Sequence, residues 1–317
     1  MTRRGFLAAS SATLMMPMGM AAPIPDILFP ASNQPYAGKP LIDWSYGMRP
    51  LFCIAYIDPG IKSQQGQEEQ VAKYPIALVP QDDRAHFRWW RERVRRLNPN
   101  IKMLAYQMVI EETTVPGPGH DVMRSAEKSW FHRGEISPTV TYRTSTSAKR
   151  KRIFDPRLDE WQEKFLSACD QTLRSDDYAG IFLDQCTIYR SIIRNPIVYR
   201  EMTDALQQTL LALRERHPSK IIIGNSRDSW LGLNGEMNES RPKDLKKETR
   251  ILPDRGSSRL ELFHYYMQNH HDTEAARKLF LLALENKAFF GVNVNAQTVR
   301  EYKFIDEVLD DYIIKAS

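Results

Sequence analysis

Short apolar runs punctuate this chain, and each gives way to a turn or an acid. Leu51 to Ile57 (LFCIAYI) stops at Asp58-Pro59, Tyr74 to Val79 (YPIALV) at Gln81-Asp82-Asp83, and Ile101 to Ile110 (IKMLAYQMVI) at Glu111-Glu112. Later runs cover Gly180 to Leu183, Ile221 to Asn225, Leu231 to Met237, Leu260 to Met267 and Ala288 to Val294. Unbroken hydrophobicity of this kind suits parallel strands buried on both faces. Helical spacing fills the intervals. Arg84 to Leu97 places Phe87, Trp90, Val94 and Leu97 on one side, and Leu158 to Leu173 does the same with Trp161, Phe165, Ala168 and Leu173. Val198 to Arg216 ends at His217-Pro218, and helices over Thr273 to Glu285 and Val299 to Ile314 complete the set.

About eight strands alternating with helices predict an α/β protein, a single (β/α)8 TIM barrel over residues 51–317. An open doubly wound sheet is the alternative; no strand is followed by the Gly-rich phosphate loop that would support it. The Leu260 run also fits a helix. After the third strand comes a long excursion, residues 112–153, with Pro116-Gly117-Pro118-Gly119, Trp130-Phe131 and Ser/Thr-rich stretches. Loops of this length are usually functional or disordered. In a barrel this one would leave the face that carries active sites and could build part of a substrate cleft.

The chain has 317 residues, of which 42% are hydrophobic, enough for one large barrel. Residues 1–21 open with Thr2-Arg3-Arg4-Gly5-Phe6-Leu7 and continue weakly apolar, which resembles a twin-arginine export signal with Ala8 where a Lys is common. Residues 22–50 form a Pro-rich segment with Pro23, Pro25, Pro30, Pro35, Pro40 and Pro50. Pro17 and Gly19 interrupt the leader too early for a membrane span, so the expectation is a periplasmic or secreted protein with no stable membrane insertion. Cys53, Cys169 and Cys186 fit no metal spacing and read as buried thiols.

The formal charge of +5 becomes +3 without Arg3 and Arg4. Its bases cluster: Arg84, Arg88, Arg91, Arg93, Arg95 and Arg96 on one helix, and Lys149 to Arg152 in the excursion. These read as a solvated helix face and a loop, or as an attraction to an anionic polymer. No nucleic-acid recognition motif accompanies them.

Chemistry is suggested by the acids at the strand ends. Asp82-Asp83 reads as a helix cap and Asp58-Pro59 as a turn, with substrate contact by Asp58 still open. Asp184 differs, because mixed polar and aromatic residues follow it rather than a helix. A second acid cluster, Glu236 and Glu239, lies in Asn234 to Ser240. Two carboxylates from different strand ends are the minimum equipment for glycosidic bond hydrolysis. Tyr106, Trp130, Tyr189, Trp230 and Tyr265 are candidates to stack on sugar faces, each equally readable as core, and Asn225 and Asn293 are candidates to bind hydroxyls. His264, His270 and His271 match no metal-ligand spacing, and neither a metal nor a cofactor is expected.

The order of Ala105-Tyr106, Trp130, Asp155-Pro156, Trp161, Gly180 to Asp184, Gly224-Asn225 and Asn234-Gly235 with Glu239 is similar to a glycoside-hydrolase-like TIM-barrel family related to the endo-α-1,4-polygalactosaminidases. The match spans roughly residues 51–300. It implies a retaining carboxylate pair whose roles fall on Asp184 as nucleophile and on Glu239, or Glu236, as acid/base. The expected function is therefore an exported glycoside hydrolase acting on a polysaccharide. A non-catalytic glycan-binding barrel in a polysaccharide production or export system is the alternative, with a deacetylase or lyase as a third possibility.

Overall fold

The computed structural model describes residues 49–316, apart from 83, 113–138, 145–146, 191, 226–229, 241–259, 272, 286–287 and 294–297. The export signal (1–21), nearly all of the Pro-rich segment (22–50) and Trp130 lie outside the described residues.

In chain order the elements are β1 (Phe52–Ile54), a 3-10 turn (Lys62–Gln64), α1 (Glu68–Val71), β2 (Ile76–Val79), α2 (Ala85–Leu97), β3 (Lys102–Met108), β4 (Glu111–Glu112), β5 (Thr139–Thr144), β6 (Ser147–Ile153), α3 (Asp159–Leu173), β7 (Gly180–Asp184), α4 (Pro196–Arg216), β8 (Ile221–Gly224), β9 (Gly235–Ser240), β10 (Leu260–Tyr266), α5 (Glu274–Glu285), β11 (Phe289–Asn293) and α6 (Lys303–Ala316). Eight of the strands form one parallel sheet in the order β1-β2-β3-β7-β8-β9-β10-β11. Leu51 pairs in parallel with Phe290, and Phe290 N–H donates to Pro50 C=O at 2.9 Å, which brings the two edges together. The result is the (β/α)8 TIM barrel that the alternation predicted.

Strand periodicity sorts the core into two layers. Phe52, Ile54, Ile76, Leu78, Leu104, Phe182, Ile223, Met237, Leu262 and Phe289 pack into a cluster built from strand residues, which fills the barrel interior. Their neighbours, among them Cys53, Ala77, Met103, Ile181, Ile222, Phe263 and Phe290, pack outward with Trp90, Trp161, Phe165, Leu206 and Phe280 of the helices. All three cysteines are free and buried.

Local sequence explains several boundaries. Asn195 caps α4, its Oδ1 accepting from Ile197 N–H at 2.9 Å, with Pro196 in the first turn. Asp82 accepts from Arg84 N–H at 2.9 Å in the turn before α2, while Asp83 is not described. Gly180 opens β7 because a Cβ there would lie 1.9 Å from Ile221 C=O of the adjacent strand.

Four expectations change. The sixth run becomes β9 at Gly235–Ser240, because Leu231 and Gly232 form a turn instead. The helix reading of the Leu260 run gives way to β10, since that segment completes parallel ladders with both β9 and β11. The excursion holds a small antiparallel sheet, β4-β6-β5, so Lys149 to Arg152 lie on strand β6 rather than in a loop. Finally, the Arg-rich helix does not present all its bases to solvent. Arg91 is only 1% exposed, donates to Asp82 C=O at 2.6 Å and pairs with Asp177 at 3.1 Å; Arg95 pairs with the same carboxylate at 2.7 Å. These two guanidinium groups clamp α2 to the turn that precedes β7 and hold the Asp177 carboxyl below its usual range, against the opposing effect of burial.

Candidate active site

The strand phase that fills the interior also selects what emerges at the carboxyl ends of the strands, the face where barrel active sites lie. On β7, Phe182 points inward, and so does Asp184 two residues later. The same step leads from Ile223 to Asn225, from Met237 to Glu239, from Leu262 through His264 to Tyr266, and from Phe289 to Asn293. Seven of the barrel's strands therefore deliver Tyr56, Tyr106, Asp184, Asn225, Glu239, His264, Tyr266 and Asn293 to one mouth.

Asp184 is held by three donors. Asn225 Nδ2 and the Gln185 N–H both reach its Oδ1 at 2.8 Å, and the Tyr106 hydroxyl donates to Oδ2. Gln185 has φ of +53°, a left-handed conformation that costs a non-glycine residue free energy. It turns the chain sharply after the strand and places its own N–H on the carboxylate beside it. The Tyr189 hydroxyl donates to Gln185 Oε1, steadying the bend.

Two tyrosines stand together on the Asp184 side of the mouth. Tyr56 meets Tyr106 edge to face at 4.6 Å between centroids. Burial, followed by the charge of Asp184, pushes both phenols well above their ordinary range, so they remain hydroxyl donors at any working pH. The charge of Glu239 adds to the same upward push on Tyr56, after burial and the charges of Asp184 and Tyr266. On the far side Tyr266 O–H points to Glu239 Oε1 at 3.4 Å. His264, 1% exposed, has Nδ1 4.0 Å from the same oxygen and Nε2 2.7 Å from Asn293 Oδ1. Burial lowers the pKa of this ring to about 4, so it is neutral.

Other candidates lie elsewhere. Glu236 has the opposite phase from Met237 and is 3% exposed, in the layer behind the sheet rather than in the mouth. Tyr265, with no exposure, packs in the outer core, because the inward phase of β10 belongs to His264 and Tyr266. Trp230 is an outer-core residue too. Its Nε1–H donates to Cys186 C=O at 2.7 Å and ties the segment after β8 to the one after β7. Asp58 is a turn residue, accepting from Gly60 N–H at 2.8 Å, with Arg84 and His86 each 3.4 Å away. Among the described residues no group of three or more His, Cys, Asp or Glu is arranged to hold a metal.

Tyr56, Tyr266 and His264 are the site residues that the sequence reading did not assign to a carbohydrate cleft. The signal for all three was the two-residue phase of LFCIAYI and LELFHYYM.

No family model matches the chain. Its fold is similar to two solved structures of the glycoside hydrolase domain of PelA from Pseudomonas aeruginosa, one of them a single-residue variant, with TM-scores of 0.52 and 0.53. In both, identity is 15%, and the match covers 77% of this chain and 94% of that domain. It is also similar to the galactosidase domain of the α-galactosidase-sucrose kinase AgaSK, with a TM-score of 0.51 and 11% identity over 86% of this chain and 41% of that one. No helix among the described residues is long and apolar enough to cross a membrane. The likeness at these identities is one of architecture: the chain has the (β/α)8 barrel fold found in glycoside hydrolases.

Proposed function

We propose that this protein is an exported glycoside hydrolase that cleaves a polysaccharide, with Asp184 as nucleophile and Glu239 as acid/base. The observation that carries the reading is the delivery of Asp184 and Glu239 by β7 and β9, the two neighbours of β8, to one tyrosine-lined mouth. Two carboxylates flanking a sugar can divide the labour of glycoside cleavage. Asp184, oriented by Asn225, Gln185 and Tyr106, attacks the anomeric carbon as the bond to the leaving oxygen breaks. Glu239 gives that oxygen its proton. Glu239 then takes a proton from water, which releases the sugar from Asp184. Tyr106 and Tyr266 set a hydroxyl on each acid, and Tyr56 packs edge to face on Tyr106 in the same mouth.

The test is incubation of the mature protein with neutral, acidic and amino-sugar exopolysaccharides, products being read by mass spectrometry, with Asp184→Asn as control. The amino-sugar polymers head the panel because the sequence resemblance implies them. New oligosaccharides from the native protein alone support hydrolysis, and their mass separates hydrolysis from elimination. Retention of a polymer by both proteins without cleavage supports a glycan-binding barrel instead. For export, residues 1–21 fused to a reporter should carry it out of the cytoplasm, and Arg3→Lys with Arg4→Lys should stop it. Equal export by the double variant would remove the twin-arginine reading.

A further inference from the structure

Glu239 and His264 are register partners on adjacent strands, β9 and β10, and both face the barrel mouth. This pairing brings Glu239 Oε1 to within 4.0 Å of His264 Nδ1. The imidazole has little freedom. Its edge meets Tyr266 at 4.2 Å, and Phe52 lies 6.0 Å away. Behind it, Asn293 on β11 offers Oδ1 to Nε2 at 2.7 Å. A carbonyl oxygen can only accept, so Nε2 carries the proton and Nδ1 keeps a lone pair. That Nδ1 is buried and makes no hydrogen bond. The burial that makes the ring neutral also leaves this lone pair as an acceptor directed at the glutamate.

We propose that His264 is a positioning residue for Glu239, its Nδ1 accepting a hydrogen bond from the protonated carboxyl O–H and so favouring the form that the acid step requires. A change of side-chain torsion in Glu239 of about 1 Å at the oxygen closes the 4.0 Å gap to hydrogen-bond length. A hydrogen bond to the neutral form of an acid raises its pKa. The other titratable groups at this end of the site are Tyr266 on the same strand as His264, Tyr56 just beyond β1, and Asp184 from β7. Asp184 acts in the same sense, since a negative neighbour also disfavours ionisation of Glu239. The proposal rests on the assignment of Glu239 as acid/base, although its electrostatic part does not depend on turnover.

The experiment is a carboxyl 13C titration of the full chain, with the Glu239 signal identified by its loss in Glu239→Gln. The native protein is compared with His264→Leu, which removes the acceptor, and His264→Asn, whose side-chain oxygen replaces Nδ1. The expected midpoint of Glu239 falls by about 0.5–1 pH unit in His264→Leu and recovers in His264→Asn. The alkaline limb of kcat/KM moves with it. An unchanged midpoint, or one that rises in His264→Leu, overturns the proposal. Ring 15N shifts of His264 in the native protein give a reading that needs no variant to fold: Nε2–H with bare Nδ1 is expected, and Nδ1–H overturns it. A midpoint that falls without any polymer being cut would sustain the role of His264 and sink the hydrolase reading. Cleavage with an unmoved midpoint would do the opposite.

Discussion

Asn225 donates its side-chain N–H to Oδ1 of Asp184 at 2.8 Å, from the end of one strand to the end of the next. The contact follows from register: Leu183 pairs with Gly224, so the residues after them leave the sheet side by side. Asn225 was expected to bind sugar hydroxyls, and the structure commits its amide to the carboxylate.

This relationship makes a kinetic prediction. Hydrogen bonds to charged groups are worth about 1.5–3 kcal/mol, so Asn225→Ala should lower kcat/KM by about 10–100-fold on the polymer that the native protein cleaves. Tyr106→Phe, which removes the donor to Oδ2, should do the same. If either variant retained native kcat/KM, the orientation of Asp184 by its neighbours would not matter to the reaction.

Glu236 and Glu239 should separate cleanly. The phase of β9 puts Glu239 in the mouth and Glu236 behind the sheet. Glu239→Gln should reduce turnover by about 10²–10⁴-fold, the range for loss of a general acid. Glu236→Gln should leave turnover near native and show its effect in thermal stability. Parallel rate and melting measurements on the two variants decide the point, and a dead but stably folded Glu236→Gln would reverse the assignment.

His264 should make the fold acid-sensitive. Its pKa is about 4 in the folded chain against 6.5 for the free ring, with burial as the cause. Between these values the unfolded chain binds a proton that the folded chain excludes. Stability is therefore full above pH about 6.5 and is lost as the pH falls toward 4, by about 3 kcal/mol in total. Urea unfolding at pH 7 and pH 4.5 should show a larger drop for the native protein than for His264→Asn. Equal drops would mean that another group governs the acid limb.

Gly291 should resist even one added carbon. Register sets it beside His264, and a Cβ there would lie 2.7 Å from the ring of Phe52, which has no exposure. Overpacking of this kind costs about 1–3 kcal/mol. Gly291→Ala should lower the denaturation midpoint, and combining it with Phe52→Leu should cost less than the sum of the two single changes. Strict additivity would show that the ring and the glycine are not in conflict.

The apolar runs LFCIAYI, IKMLAYQMVI and IIIG, with Trp90 and Trp161 on the intervening helices, were enough to read the barrel from the sequence. Burying such runs on both faces requires a parallel sheet clothed in helices. Asp184 was legible for the same reason, as the first charge after GIFL with no helix behind it. The site around it was harder. Run length alone points to Tyr265 where Tyr266 faces the mouth, and it starts the sixth strand at Leu231, where the chain still turns before β9 begins at Gly235.

What the sequence determined by itself is therefore the fold class and the chemistry present at the strand ends, because hydrophobic run length, helical spacing and terminal acids are local properties. The tertiary structure decided which side chains share the mouth. A strand's inward face reverses with a shift of one residue, and its phase is set by pairing with neighbours far away in sequence. Pairing of Glu239 with His264 and of Leu183 with Gly224 brings Glu239 and Asp184 to one opening and leaves Glu236 and Tyr265 behind the sheet.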